Sequence, residues 1–207
     1  MLYDITRTVS RDTYVWPGVQ KASITPVLKL SEGSSVNLTA MQLSPHTGTH
    51  ADAYYHYEAD GAYAAAMPLD AYVGHARLVT VTKQDGPLFP EDFAHTNLAG
   101  AERLLIHSIV SDNLDSEWPL QFPYLSLPLI EWLASLNVRL IGLDSPSVDA
   151  LDSTELMCHH ALYRYRMVNI ENLYLRDVPD GDYELIALPL KLDLACASPV
   201  RAVLRTL

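Results

Sequence analysis

The chain has 207 residues, 49% of them hydrophobic and 19% charged, with a formal net charge of −11. That length and apolar share suit one sizeable core, read as a single domain over 1–207, and exclude a disordered chain. The acidic balance repels phosphate backbones and anionic lipid, and no 18-residue apolar run exists to span a bilayer, so nucleic acid and membrane are excluded as partners.

The start, MLYDITRTVSRDTYVWPG, has no basic end leading into an apolar stretch and no small-residue cleavage site, so no secretory leader is expected. Two cysteines, Cys158 and Cys196, are too few for a disulfide framework and fit reduced thiols in the cytoplasm.

Next comes SPHTGTHADAYYHY at 44–57, which gathers His46, His50, Asp52 and His56. On a straight strand these four share a face. A rise of about 3.3 Å per residue then separates His46 from Asp52 by roughly 20 Å, whereas ligands of one ion converge on bonds about 2 Å long. A helix joins His46 to His50 but turns Asp52 away. The segment is therefore expected to bend as a loop, with Gly48 supplying the backbone freedom. Two imidazoles and a carboxylate suit zinc, with manganese or iron as alternatives. Three protein ligands leave a tetrahedral ion open for chemistry. His56 is set apart as a proton carrier, since imidazole titrates near neutral pH.

ARLVTVT (76–82), RLLIHSIV (103–110) and VRLIGLD (138–144) read as short strands buried on both faces. SLPLIEWLASL (126–136) carries Leu129, Ile130, Leu133 and Leu136 at helical spacing. DSTELMCHHALYRY (152–165) reads as a second helix, with Asp152 as N-cap and Glu155 completing a capping box. On it His159 and His160 point about 100° apart, so at most one reaches a given ion. Cys158 has only its adjacency to argue for ligation. Glu171 lies past the expected helix end, where a turn returns its carboxylate to the same centre. YELIALPLKL (183–192) is a strand whose Pro189 suggests an edge or a bulge, and VRAVLRTL closes the chain as a last strand. Scattered prolines and few helices give an α/β or α+β class around a mixed sheet.

The segment at 44–57 resembles the His-x-Gly-Thr-His-x-Asp-x-Pro-x-His signature of the metal-dependent cyclase-like amidohydrolases. YDIT, VWPG, PLDAYVG (68–74), IGLDSPSVD (141–149), GDYELIALPLKL (181–192) and ASPVRAVLR (197–205) extend the likeness to both ends of the chain; it is weakest over 83–130. The resemblance implies an α/β fold with a mixed, barrel-like sheet of the swivelling β/β/α type, flanking helices and a homodimer. It implies two adjacent divalent ions, usually zinc. His46, His50 and Asp52 would hold the first, and Asp52 would bridge to a second held by His159 and Glu171. His56 would be the general acid/base, and Trp16, in VWPG, would line the pocket where its indole stacks on an aromatic ring. The implied substrate is a small aromatic formamide. Neighbouring readings are a family member opening a cyclic amide with manganese, and a metal-binding domain without turnover. One departure stands out: the signature's proline is Tyr54 here, which loosens one φ angle and is expected to put a phenol close to the ions.

Overall fold

The computed structural model describes residues 1–207. In chain order the strands are β1 (Leu2–Asp4), β2 (Ser23–Leu28), β3 (Leu38–Gln42), β4 (His50–Asp52), β5 (Val73–Thr80), β6 (Gly86–Pro87) and β7 (Arg103–His107). They continue with β8 (Pro123–Tyr124), β9 (Leu140–Leu143), β10 (Val168–Glu171), β11 (Gly181–Ile186), β12 (Ala197–Pro199) and β13 (Val203–Thr206). The α-helices are α1 (Leu127–Ser135) and α2 (Met157–Arg164).

Nine strands form one mixed sheet in the order β1-β13-β11-β5-β7-β9-β10-β4-β12, parallel from β5 to β10 and antiparallel outside that centre. Parallel strands are covered on both faces and must be apolar on both. Accordingly Leu104, Leu105 and Ile106 of β7 and Leu140, Ile141 and Leu143 of β9 are at most 1% exposed. Alternation sends Leu104 and Ile106 towards α1 and α2, where Leu129, Ile130, Leu133 and Leu162 wait. Leu105 goes to the other face, with Tyr72, Ile170, Leu185 and Leu204. Each of these large side chains contributes about 1.5–3 kcal/mol on burial.

Although β1 ends the strand order, the chain just past it comes round to β10. Thr6 bridges to Leu173, and the Tyr174 N–H donates to the Ile5 carbonyl at 3.0 Å. The sheet therefore curls into the barrel-like core that the resemblance implied, and its mouth holds the ends of β4 and β10.

Three local readings differ from the sequence expectation. First, α2 begins at Met157, not beside Asp152, and no Glu155 capping box forms. Leu156 sits at φ +46, off the helical path, while the Asp149 carboxylate accepts the N–H groups of Cys158 at 2.9 Å and His159 at 3.1 Å. The helix is thus capped from outside by a preceding loop. Second, Glu171 is the last residue of β10 and not part of a turn. Third, β11 is an interior strand ending at Ile186, so Pro189 lies beyond it and marks neither an edge nor a bulge. The remaining strand and helix expectations coincide with β5, β7, β9, β13 and α1, whose N-cap Ser126 accepts the Leu129 N–H.

Candidate active site

In the antiparallel β4/β10 ladder His50 stands opposite Glu171 and Ala51 opposite Ile170. Opposed residues share a face with Cβ atoms about 4.5–5.5 Å apart, and period-two alternation adds Asp52 and Asn169 to that face. Two very short strands therefore present His50, Asp52, Asn169 and Glu171 to one spot, each at most 4% exposed.

The turn before β4 brings in His46. The Thr47 N–H donates to the Ser44 carbonyl, and Gly48 takes φ +66, where a Cβ would also come within 3.0 Å of Val9 Cγ2. This left-handed corner is open to glycine and strained for other residues. It leaves His46 Nδ1 3.0 Å from Asp52 Oδ1. His50 Nε2 is 3.4 Å from Asp52 Oδ1 and 3.4 Å from Glu171 Oε2. From the first turn of α2, His159 Nε2 comes to 3.5 Å from Asp52 Oδ2 and 3.7 Å from Glu171 Oε1.

These separations fit a cation. Two ligands about 2.0–2.1 Å from a tetrahedral ion stand about 3.3 Å apart. Moreover, His50 Nε2 and Asp52 Oδ1 are buried with no hydrogen-bond partner. Burying a carboxylate costs several kcal/mol. Asn169 offsets part of this, with Nδ2 donating to Asp52 Oδ2 at 2.8 Å and Glu171 Oε1 at 3.1 Å, bonds that contribute about 1.5–3 kcal/mol each. Positive charge supplies the rest. Without an ion the imidazoles supply it: burial alone would lower their pKa values, but the facing carboxylates win. His50 is pushed up to about 10 by Asp52 and Glu171, and His159 up to about 10 by Asp149 and Asp52. Asp52 is correspondingly held well below the usual carboxylate range, against its burial, by His159, His46 and His50.

The outward nitrogens of these rings are tethered. His50 Nδ1–H donates to the Gly48 carbonyl at 2.9 Å and His159 Nδ1–H to Asp149 Oδ2 at 2.7 Å, so both rings aim Nε2 inward. His160 turns away and meets Glu58 Oε1 at 2.7 Å, as the angular spacing on a helix requires. Cys158 is remote from the centre; its thiol donates to the Leu125 carbonyl in the core.

His56 ends a 3-10 turn, Tyr54–His56, with its ring 4.2 Å from that of His46 and 5.8 Å from that of His159. Gly61 backs this turn so closely that a Cβ there would lie 2.4 Å from the Tyr54 carbonyl carbon. The phenol of Tyr54 corrects an expectation: it lies outside the pocket lining and packs on Tyr163, with ring centroids 5.1 Å apart.

Above the cluster opens a cavity of about 310 Å³, lined by Tyr14, Trp16, Trp118 and Leu156 and floored by the histidines and Glu171. Trp16 and Trp118 meet edge to face at 5.3 Å. Trp118, Asp149 and Asn169 escaped the sequence reading. Asp149 ends a stretch that carried the family likeness, and Asn169 has the parity of Glu171, which becomes a signal once β10 is a strand.

A curled mixed sheet bearing buried imidazoles and carboxylates below an aromatic pocket defines a metal-dependent hydrolase of the amidohydrolase kind. The chain belongs to the putative cyclase family, whose model matches residues 3–150. It is 46% identical over 205 residues to the kynurenine formamidase of Salinibacter ruber (strain DSM 13855 / M31), covering 99% of this chain and 97% of that one. Among solved structures it resembles a potential metal-dependent hydrolase with cyclase activity, with 26% identity, a TM-score of 0.84 and coverage of 99% and 96%. It shares the fold of isatin hydrolase A from Labrenzia aggregata at 22% identity, with a TM-score of 0.83 and coverage of 99% and 93%.

Proposed function

We propose that this protein, acting as one domain over 1–207, hydrolyses the formamide bond of N-formyl-L-kynurenine to L-kynurenine and formate. The observation that carries the reading is the convergence of His46, His50, Asp52, His159 and Glu171, with His50 Nε2 and Asp52 Oδ1 left without partners. The 46% identical formamidase from Salinibacter ruber supplies the substrate class.

In this reading His46, His50, Asp52, His159 and Glu171 would hold two divalent ions, zinc before manganese. Bound there, the ions supply Lewis-acid polarisation of a carbonyl and lower the pKa of water. The chain's own residues do the rest. The indoles of Trp16 and Trp118 take the aromatic ring of the substrate, which aligns the formyl group with the pocket floor. His56, the exposed imidazole on the rim of the cluster, takes a proton from the water that attacks the formyl carbon and passes it to the aniline nitrogen as the C–N bond breaks. Asp149 and the Gly48 carbonyl keep His159 and His50 in one tautomer throughout the cycle.

The pairing of β2 with β3 leaves Ile24, Val27, Leu28, Leu38 and Met41 exposed. A lone hairpin is marginal in water, and the exposed cross-strand pairs Ile24–Met41 and Leu28–Leu38 suit an interface. A second copy of the chain is its occupant, giving a homodimer. No helix is long and apolar enough to cross a membrane, and the two free cysteines suit the cytoplasm.

The test is formate release from N-formyl-L-kynurenine by zinc-replete protein, with and without a chelator, and with isatin as comparison substrate. Chelator-sensitive formate release is expected. Turnover of isatin alone would move the assignment to ring-opening of a cyclic amide.

A further inference from the structure

Two of the three inward-facing histidines have an identified tether, Gly48 for His50 and Asp149 for His159; the third, His46, touches Cys196. We infer that Cys196 is the positioning residue for His46, accepting its outward N–H so that the other ring nitrogen is presented to the ion. The inference rests on the metal reading above and adds a residue to it.

The geometry is specific. His46 Nδ1 lies 3.0 Å from Asp52 Oδ1, and His46 Nε2 lies 3.3 Å from Cys196 Sγ. The two nitrogens of one imidazole point in different directions, so a single ion takes only one of them. Asp52 Oδ1 and His50 Nε2, both buried without hydrogen-bond partners, point to the Nδ1 side. Nε2 then carries the proton, and the thiol sulfur is its acceptor. Cys196 is also held firmly enough for the task. Its carbonyl accepts the Ala53 N–H at 2.9 Å, and its neighbour Ala197 pairs with Asp52 in the β12/β4 ladder. The tether of His46 and the bridging carboxylate therefore ride on one rigid pair of strands.

The competing arrangement makes the thiolate itself a ligand, since donor atoms of His46, His56 and Cys196 lie within 4.8 Å of one another. The sulfur, however, sits on the Nε2 side, and an ion bound there would have to take His46 through the nitrogen that faces away from Asp52.

The experiment measures zinc bound per chain across buffered free-zinc concentrations for wild type, Cys196→Ala and Cys196→Ser, with folding of each checked by circular dichroism. Cobalt-loaded wild type is examined for sulfur-to-cobalt charge-transfer absorption. Losing an outer hydrogen-bond partner of a ligand typically weakens metal binding by about 10–100-fold. The alanine variant is expected to show that loss for one ion and not the other. The serine variant, which still accepts the His46 N–H, recovers most of it, and wild type has no charge-transfer band. The inference is overturned if Cys196→Ala binds zinc like wild type, if serine is as weak as alanine, or if the cobalt protein has a thiolate band that Cys196→Ser abolishes. Wild type that binds no zinc at all would overturn the metal reading itself.

Discussion

At the floor of the pocket Asp52, Glu171, His50 and His159 are 2–4% exposed, while on the β2–β3 hairpin Ile24, Val27, Leu38 and Met41 are 47–72% exposed. Each region reverses the ordinary distribution of polar and apolar groups, and each reversal states a need. Buried ionised groups carry a desolvation cost of several kcal/mol per ion, larger than Asn169 alone returns, so the floor calls for cations. Exposed apolar side chains cost less apiece, and what the hairpin calls for is a covering surface. The two regions differ most in how tightly the chain enforces them. The floor is fixed by ladder register, a capped helix and tethered rings; the hairpin is held by its own two strands.

Substitutions separate these demands. The largest effect is expected from Asp52→Asn, which keeps shape but removes the shared charge: bound zinc and formate release should both fall to background, checked by metal analysis and assay. A variant retaining two ions would deny Asp52 its bridging place. His56→Ala comes next. It should lower kcat by about 10²–10⁴-fold and leave zinc content at the wild-type level if, as proposed, His56 carries protons and holds no ion. Asp149→Ala removes both the tether of His159 and the outside cap of α2. Zinc affinity is expected to drop by about 10–100-fold. The lost cap destabilises by about 1 kcal/mol, a fall in Tm of about 2–4 °C. The smallest effect on the folded chain belongs to Met41→Lys on the hairpin. Stability should stay within about 0.5 kcal/mol, yet the proposed dimer should dissociate in sedimentation; a variant that sediments like wild type would contradict the hairpin interface.

The sequence carried much of this because distance and parity are strict. A run containing His46, His50 and Asp52 had to bend, and Gly48 marked the corner. Helical spacing allowed one of His159 and His160 to face inward, and the choice of His159 came from the family pattern. What stayed hidden depended on contacts between distant segments. Asp149 caps α2 from a loop that precedes it, so Asp152 and Glu155 looked like the start of the helix. Glu171 looked like a turn residue because β10 is too short to announce itself, and with that misreading Asn169 lost its meaning. Tyr54 replaces a proline in the signature, but sequence gave no direction for its ring, which turns to Tyr163 and away from the floor.

The central claim is that the floor is built for cations, and zinc titration of metal-free protein with simultaneous proton counting tests it most directly. His50 and His159 are both raised to about 10, so at pH 7.5 they are protonated until an ion replaces the protons. Zinc should therefore bind at about two ions per chain with proton release, more tightly as pH rises towards 10 and more weakly as it falls, because bound protons compete with the ion. Absence of zinc binding, or binding with no proton release and no dependence on pH, would contradict the account.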